Sequence, residues 1–267
     1  MTKFSSKIVL ITGGASGIGK LMGREVLQRG SKLVIWDVDK INLQQTLEEF
    51  EEFGEVYGYT VDITNTAWIQ EIAKQMTDEV GPVDILINNA GIVFGGYFHE
   101  NSSENIEKVM NVNAIAPMQL ARTFLSGMME RKQGHICNIT SSAGLVSNPK
   151  MAVYAGSKWA ATGWSDSLRL EMQQLKTGVG VTTVTPYYIN TGMFDGVKSN
   201  IPILDQNKVA KRIINAIEKE RIYLSMPWSM RFVRFSQGLF PIWFYDWFVG
   251  RVIGVYKTMD EFKGRKK

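Results

Sequence analysis

The sequence predicts an α/β fold in one domain, with a doubly wound parallel sheet covered by helices on both faces. Two observations predict it. Short apolar runs of strand length alternate with longer helix-like stretches from residue 7 to residue 224. The first apolar run, residues 7–11, leads through a glycine-rich turn into a helix-like stretch. The length of 267 residues suits one large domain.

The glycine-rich turn is typical of a Rossmann fold, in which a strand, a turn and a helix hold the phosphates of a dinucleotide. Glycines let the backbone approach the pyrophosphate, and the helix N-terminus faces its negative charge. The spacing is G-x-x-x-G-x-G rather than the commoner G-x-G-x-x-G. A purely structural turn is the alternative. The residues of this turn that we predict to bind a dinucleotide are Gly13, Ser16, Gly17, Ile18 and Gly19.

Asp37 ends the second predicted strand, residues 31–36. A carboxylate about twenty residues past the glycines can accept hydrogen bonds from the adenosine ribose, and it would repel a 2′-phosphate. Position 38 is a valine, and the glycine turn contains no Lys or Arg. These features favour NAD as the cofactor over NADP. Helix capping by Asp37 or Asp39 is the alternative.

The remaining predicted elements continue the alternation of strand and helix. Pro117 lies inside the longest predicted helix and is expected to kink it. Residues 187–206 are expected to be irregular. The predicted helices are residues 41–53, 64–80, 102–130, 151–176 and 207–220. The predicted strands are residues 55–60, 83–87, 134–140, 180–185 and 222–224.

Polar residues follow the ends of the third and fourth predicted strands. Asp62 could bond the adenine amino group of a dinucleotide, or it could cap the helix that follows. The side-chain amides of Asn88 and Asn89 can tie neighbouring loops together over a cofactor, although most Asn-Asn pairs only form turns.

Tyr154 and Lys158 are four residues apart, so a helix would place them on one face. A phenol is a poor acid or base at neutral pH, because its free pKa is about 10. An ammonium at ~4 Å attracts the phenolate by about 4 kcal/mol at an effective dielectric of ~20. This attraction would lower the pKa of the phenol by up to ~3. The pair therefore indicates a general acid–base, with a solvated surface pair as the alternative.

In this order and spacing, the motifs resemble those of the short-chain dehydrogenase/reductase family over about residues 7–226. Each motif is common alone, but the combination is specific. The matching residues are Thr12-Gly13-x-x-x-Gly17-x-Gly19, Asn88-Asn89-Ala90-Gly91, Asn113, Ser141 and Tyr154-x-x-x-Lys158.

The resemblance implies a hydride transfer between a substrate carbon and a nicotinamide. It implies that Tyr154 is the general acid–base, and that Lys158 lowers its pKa and holds the nicotinamide ribose. Ser141 would hydrogen-bond the reacting oxygen, with Ser142 as the neighbour that could be confused with it. Asn113 would hold a water that links Lys158 to solvent. The further cofactor contacts that it implies are Asp62, Ile63, Asn89, Ala90, Gly91, Pro186, Ile189 and Thr191.

Three stretches, residues 186–194, 226–228 and 262–265, resemble the branch of retinol dehydrogenases and certain 17β-hydroxysteroid dehydrogenases. This shorter match implies a lipophilic alcohol or ketone as substrate. Members of the family usually have glycine after the proline that ends the sixth strand. Here Tyr187 follows Pro186, which alters the floor of the pocket. Many members of the branch begin with a hydrophobic anchor, and we expect neither an anchor nor a signal peptide here.

We divide the chain into a cofactor-binding domain, residues 1–226, and a C-terminal extension, residues 227–267. The extension carries eight Lys or Arg and three acidic residues, which gives +5, and this leaves 4 − 5 = −1 for the remainder. Its many aromatic residues are interrupted by charges and Pro241, too often for a transmembrane helix. A helix or hairpin in a membrane interface, a lid over the substrate pocket and a subunit contact are the hypotheses. The basic charge favours the first, through residues 227–256.

The composition bears on disulfides, metal sites and nucleic-acid binding. The single Cys137 excludes an internal disulfide and fits a reducing, cytoplasmic compartment. Two histidines and one cysteine leave little material for a metal site, and we predict none. The charge distribution gives no support for nucleic-acid binding. The resemblance implies a homodimer or homotetramer, formed through the predicted helices 102–130 and 151–176.

The leading hypothesis is an NAD-dependent dehydrogenase of a lipophilic alcohol, such as a retinoid, a steroid or a long-chain alcohol. A second is a reductase of small or acyl-chain carbonyls whose extension serves oligomerisation. A third, from another class, is an NAD-binding scaffold at membranes or lipid droplets with a vestigial site.

Overall fold

The computed structural model describes residues 2–264, which form one seven-stranded sheet with helices on both faces. Three basic residues of the extension, Arg265, Lys266 and Lys267, lie outside the described residues, as does Met1. The strands are β1 Ile8–Thr12, β2 Lys32–Asp37, β3 Val56–Thr60, β4 Ile85–Asn88, β5 Gly134–Ile139, β6 Val179–Pro186 and β7 Tyr223–Met226. All strand pairs are parallel, and the strands lie in the order β3-β2-β1-β4-β5-β6-β7.

The strand order reverses between β1 and β4, which confirms the doubly wound fold. Leu10 of β1 pairs with Val34 of β2 on one side and with Leu86 of β4 on the other. All three side chains are fully buried, since helices cover both faces of the sheet. A reversal of this kind opens a crevice at the carboxyl ends of the strands, where ligands bind in folds of this class.

The helices alternate with the strands as predicted. Side chains cap several of them. Asp39, for example, accepts hydrogen bonds from the backbone N–H groups of Ile41 and Asn42 at the start of the helix Lys40–Phe50. Of the two aspartates considered for this role, Asp39 is therefore the cap. The helices are α1 Gly17–Leu27, α2 Lys40–Phe50, α3 Thr66–Glu79, α4 Ser103–Met110, α5 Ala116–Glu130, α6 Ala152–Gln174 and α7 Gln206–Glu218.

The core consists of two apolar layers, one on each face of the sheet. On one face α1, α2 and α7 pack against the strands through side chains such as Met22, Phe50 and Ile213. On the other face α3, α5 and α6 do so through side chains such as Met76 and Leu120. This sandwich holds the strand ends rigidly in place beneath the crevice.

The predicted helix 102–130 is built differently from the prediction. It consists of α4, one π-helical turn over Asn111–Ile115, and α5. Pro117 lies in the first turn of α5, directly after the π-helical turn, so the irregularity of this helix precedes the proline.

The extension is a chain of short helical turns and not the single helix or hairpin that we expected. No helix in residues 2–264 is long and apolar enough to cross a membrane. Its two α-helices are α8 Val233–Leu239 and α9 Ile242–Tyr245. The other turns are Trp228–Phe232, Asp246–Val252 and Val255–Lys257.

His135 of β5 makes the fold sensitive to acid. Its side chain is 1% exposed, and its Nε2 lies 2.8 Å from the Thr182 hydroxyl. Burial lowers the pKa of His135 to about 4, although the Glu220 carboxylate raises it slightly. A pKa that is lower in the folded than in the unfolded state gives stability above pH ~6.5, and this is lost as the pH falls towards 4.

We expect the free energy of unfolding to fall by about 3 kcal/mol through this group between pH 6.5 and 4. His135→Gln should remove this part of the slope in urea unfolding measured across that range. His99→Gln is the matched control, because His99 is exposed and should leave the slope unchanged. An equal slope in the His135 variant and the parent would contradict the assignment.

Candidate active site

A crevice of about 760 Å³ lies where the carboxyl ends of the strands meet. It gathers almost all the predicted cofactor and catalytic residues, although they come from loops far apart in the sequence. Gly19 and Asn113 are the two predicted residues that do not line it. The predicted residues that do line it are Gly13, Ser16, Gly17, Ile18, Asp37, Asp62, Ile63, Asn89, Ala90, Gly91, Ser141, Tyr154, Lys158, Pro186, Ile189 and Thr191.

The glycine turn needs glycine for reasons of space and of conformation. Gly13 and Gly17 have φ of +63° and +55°, in the left-handed region. A Cβ on Gly13 would lie 2.9 Å from the Ala90 Cα, and one on Gly19 would lie 2.2 Å from the Gly13 carbonyl oxygen. Gly19 thus allows α1 to pack tightly against the turn. The Gly19 residue itself lies behind the crevice wall. The N-terminus of α1, at Gly17, faces the crevice.

Asp37 joins the glycine turn to the end of β2. Its Oδ2 accepts from the Ala15 N–H at 3.0 Å, and its Oδ1 accepts from the Asp39 N–H at 3.0 Å. The carboxylate also lies on the crevice wall. None of the residues in positions 12–42 that line the crevice is cationic.

Asp62 also lies on the wall rather than at a helix end. Its Oδ1 accepts from the N–H and the hydroxyl of Thr64, at 2.9 and 2.7 Å. Asn65 caps α3 instead, by accepting from the N–H groups of Ala67 and Trp68. The capping alternative for Asp62 is therefore wrong.

Asn89 ties the two central strands together, as the side-chain amide was expected to do. Its Nδ2 donates to the carbonyl oxygens of Thr12 and Gly13, both at 3.0 Å. In return, the Thr12 hydroxyl accepts from the N–H groups of Asn89 and Ala90. Thr12 belongs to the matched motif, yet our site prediction omitted it because its role is apparent only from this contact.

Tyr154 and Lys158 lie on one face of the first turns of α6, and both side chains are 5% exposed. The Lys158 Nζ donates to the Ile139 carbonyl at 3.2 Å and lies 5.7 Å from the centre of the Tyr154 ring. The solvated surface pair is therefore wrong. The edge of the Phe194 ring packs against the Tyr154 ring, with centres 5.8 Å apart.

Burial dominates the acid–base properties of this pair. It raises the pKa of Tyr154 to about 12, with a smaller lowering by the Ser141 hydrogen bond and a smaller raising by Tyr188. Burial also lowers the pKa of Lys158 to about 8. The predicted lowering of the Tyr154 pKa is therefore wrong for the protein's own groups, because desolvation of the phenolate raises it.

Ser141 follows the end of β5 and lines both the crevice and a second cavity. Its hydroxyl accepts from the Ala143 N–H at 3.1 Å. The neighbouring Ser142 lines the second cavity alone. Of the two serines, Ser141 is therefore the one at the junction of the crevice and the second cavity. Tyr154 lines the crevice beside it.

Asn113 lies behind the crevice and is buried in the π-helical turn. Its side chain exchanges two hydrogen bonds with the backbone of Ile92, each 2.9 Å, and donates to the Ser157 hydroxyl at 3.1 Å. A Cβ on Gly91 would lie 3.3 Å from the Asn113 Oδ1 and 3.5 Å from the Lys158 Nζ. The lysine and the asparagine thus approach the same point on the Gly91 backbone.

The second cavity, of about 240 Å³, begins at Ser141 and is lined mainly by apolar side chains. One wall consists of Val146, Met151 and Tyr188, and the opposite wall comes from the extension. Tyr187 occupies the floor, with its hydroxyl 2.9 Å from that of Ser199. Sequence analysis missed these residues as site residues, apart from noting the unusual Tyr187. The extension residues on the wall are Ser229, Met230, Phe232, Val233, Ser236, Phe240, Phe244, Tyr245, Phe248, Val249, Ile253 and Val255.

Residues 255–263, which we call the closing segment, join the loops that surround this cavity. The buried Thr258 hydroxyl accepts from the Asn148 Nδ2 at 2.8 Å and donates its own proton to the Val255 carbonyl. The Tyr188 hydroxyl lies 3.0 Å away and therefore donates to the Thr258 oxygen. Phe262 packs against Phe194, with ring centres 6.3 Å apart. The segment therefore holds in place the aromatic ring that contacts Tyr154.

Comparison with known proteins agrees with this geometry. The family described as short chain dehydrogenase matches residues 7–202. Epidermal retinol dehydrogenase 2 of Mus musculus is 36% identical over 270 residues, covering 98% of this chain and 87% of the relative. Estradiol 17-beta-dehydrogenase 11 of Homo sapiens is 35% identical over 240 residues, covering 89% and 80%. The crystal structure of a short chain dehydrogenase/reductase from Burkholderia phymatum in complex with NAD superimposes with a TM-score of 0.82 at 27% identity, covering 89% of this chain and 95% of that one.

The hydrogen bonds of Thr258 give a stability prediction. Thr258→Val keeps the shape of the side chain but leaves the Asn148 amide and the Tyr188 hydroxyl without their buried partner. We expect the free energy of unfolding to fall by about 1–3 kcal/mol in chemical denaturation. Thr258→Ser keeps the hydroxyl and should recover most of the loss. Equal losses in the two variants would show that the methyl group, and not the hydrogen bonds, stabilises the segment.

Proposed function

The chain belongs to the short-chain dehydrogenase family, and on that premise we propose that it is an NAD-dependent oxidoreductase acting on a lipophilic alcohol and its carbonyl. The observation that carries the proposal is the apolar cavity that begins at Ser141 and is walled by the aromatic extension. It places a hydrophobic site directly beside Tyr154, the proposed acid–base.

The crevice fits NAD in the chemistry of its donors and acceptors. The N-terminus of α1 with its glycine turn suits a pyrophosphate, and Asp37 offers carboxylate oxygens to ribose hydroxyls. The wall between residues 12 and 42 has no cation for a 2′-phosphate, which supports NAD over NADP. The similar structure from Burkholderia phymatum contains NAD, in agreement with this choice.

When bound, the nicotinamide ring accepts or supplies the hydride. The protein's own groups then manage the oxygen and its proton. The Ser141 hydroxyl holds the reacting oxygen beside Tyr154. In the reductive direction the Tyr154 hydroxyl, which is protonated at neutral pH because of its raised pKa, donates its proton to the carbonyl oxygen. In the oxidative direction Tyr154 passes its own proton to Lys158 as it receives the proton of the alcohol.

Lys158 and Asn113 are proposed to carry protons between Tyr154 and solvent. Burial brings the pKa of Lys158 to about 8, so this ammonium can release and regain a proton near neutral pH. Pro117 has no N–H, so it cannot form the α-helical hydrogen bond to the Asn113 carbonyl. The Asn113 carbonyl therefore has capacity to accept from the ordered water implied by the family resemblance.

The apolar cavity supports a lipophilic substrate. Its volume of about 240 Å³ is slightly below the ~300–1,000 Å³ usual for small-molecule sites. It also opens at Ser141 towards the larger crevice. The names of the relatives, a retinol dehydrogenase and an estradiol dehydrogenase, agree with an apolar alcohol.

The two other hypotheses have less support. A reductase of small carbonyls would leave the extension to oligomerisation, yet this segment lines the cavity. A vestigial scaffold has no physical need for Ser141, Tyr154 and Lys158 together at one site. The homodimer or homotetramer, the cytoplasmic location and the membrane contact of residues 227–256 remain predictions.

We expect Tyr154→Phe to lower kcat by about 10²–10⁴-fold, because the variant lacks the proton donor and acceptor. Binding of NAD, followed by quenching of tryptophan fluorescence, should change little. Asp37→Ala is the complementary control, which should weaken NAD binding. Turnover by Tyr154→Phe near the parent rate would disprove the mechanism.

Substrate size gives an independent test. In an assay of NADH production, a series from ethanol through long-chain alcohols to retinol and a 17β-hydroxysteroid should show kcat/KM rising with apolar size. Each buried methylene should contribute up to about fourfold, the equivalent of about 0.8 kcal/mol. Activity confined to small polar alcohols would retain the family assignment and discard the lipophilic substrate.

A further inference from the structure

The extension contains a dense group of exposed apolar side chains. Ten of the 21 large hydrophobic side chains that are exposed in the described chain lie within residues 228–252. Ile242 and Trp243 protrude most, at 79% and 73% exposed. The Phe244 ring contacts those of Phe240, Trp243 and Trp247, so the group is continuous there. Exposed patches of this kind mark interaction surfaces. We call residues 228–252 the apolar surface.

The apolar surface and the substrate cavity share side chains. Phe232, Phe240 and Phe248 are each more than 40% exposed, and all three also line the cavity. Side chains alone therefore separate the cavity from the outside of the molecule on this side. A lipophilic molecule at the apolar surface has a short route into the cavity through rings that can change rotamer.

Charge indicates what covers this surface. It carries Arg231, Arg234 and Arg251 against one acid, Asp246, which gives 3 − 1 = +2. All three arginines are exposed, and guanidinium groups stay charged at any working pH. Anionic lipid headgroups complement this charge, while aromatic rings suit the level just below the headgroups. A symmetric contact with a second copy would instead bring two surfaces of like charge together.

The shape of the extension indicates how it would meet a bilayer. α8 has seven residues and α9 has four, and no described helix is both long and apolar enough to span a membrane. Short turns with aromatic side chains and arginines suit a segment that lies in the plane of the interface.

We propose that the apolar surface binds an anionic lipid bilayer and that lipophilic substrate passes from the bilayer into the cavity between Phe232, Phe240 and Phe248. The passage of substrate rests on the proposed function. The binding of lipid does not, so the two can fail separately.

The test is flotation of the full chain with vesicles of phosphatidylcholine, alone or with about 30% phosphatidylserine. We expect strong binding to the anionic vesicles and about thirtyfold weaker binding to the neutral ones, the factor that a net charge of +2 corresponds to. Ile242→Ser combined with Trp243→Ser should lower binding by about tenfold, and neither residue lines the cavity. Trp68→Ser combined with Leu175→Ser is the matched control, because it removes two exposed apolar side chains elsewhere. Its binding should equal that of the parent.

Two enzyme assays accompany the flotation, one with a short-chain alcohol in solution and one with retinol held in anionic vesicles. Ile242→Ser/Trp243→Ser should leave the first unchanged and lower the second by about the same factor as binding. Unchanged turnover of vesicle-held retinol with lost binding would overturn the entry route. If no alcohol is oxidised but binding behaves as expected, the proposed function fails and the lipid surface stands.

Absence of the parent chain from both kinds of vesicle would overturn lipid binding. So would equal losses in the control and the Ile242→Ser/Trp243→Ser variant. Size-exclusion chromatography identifies the other occupant: a parent oligomer that Ile242→Ser/Trp243→Ser dissociates would assign the apolar surface to a second copy of the chain.

Discussion

The hydrogen bonds between Thr12 and Asn89 are the interaction on which the rest of the site depends. They join β1 to β4 at the one place where the strand order reverses. The helices that follow β1 and β4 lie on opposite faces of the sheet, which opens the crevice between the two strand ends. These hydrogen bonds hold the two strand ends together across it. With that link fixed, the glycine turn, Asp37 and Gly91 take defined positions, and the later strands add the residues proposed to be catalytic at the same edge.

Burial then determines the chemistry. Removing Tyr154 and Lys158 from water moves their pKa values in opposite directions, to about 12 and about 8. The phenol becomes a group that keeps its proton, while the ammonium becomes one that gives it up more easily. The same apolar surroundings that produce these values, with Phe194 against the Tyr154 ring, also form the entrance to the hydrophobic cavity. The proposed acid–base chemistry and the proposed preference for lipophilic substrates therefore have a common physical origin.

Much of the fold and of the cofactor half of the site can be predicted from sequence, because the patterns there are local. Buried parallel strands are short apolar runs, and the glycine turn directly follows one of them. The direction of the Tyr154 pKa could not be predicted, since desolvation depends on tertiary packing. The cavity was missed for a similar reason: Val146 and Phe248 face it from positions about a hundred residues apart, and no sequence period connects them. Sequence analysis placed one continuous helix over residues 102–130 and did not predict the π-helical turn before Pro117.

The two halves of the site come from different parts of the sequence. The side of the crevice with the glycine turn, Asp37 and Asp62 is formed by residues up to Gly91, whereas the cavity is lined by residues from Ser141 onwards. Changes after Phe194 can therefore reshape the cavity without altering a residue that lines the crevice, provided that Thr258 and Phe262 still hold the loops. A chain built in this way can diverge towards new substrates by altering the residues after Phe194, while its choice of electron carrier is inherited unchanged.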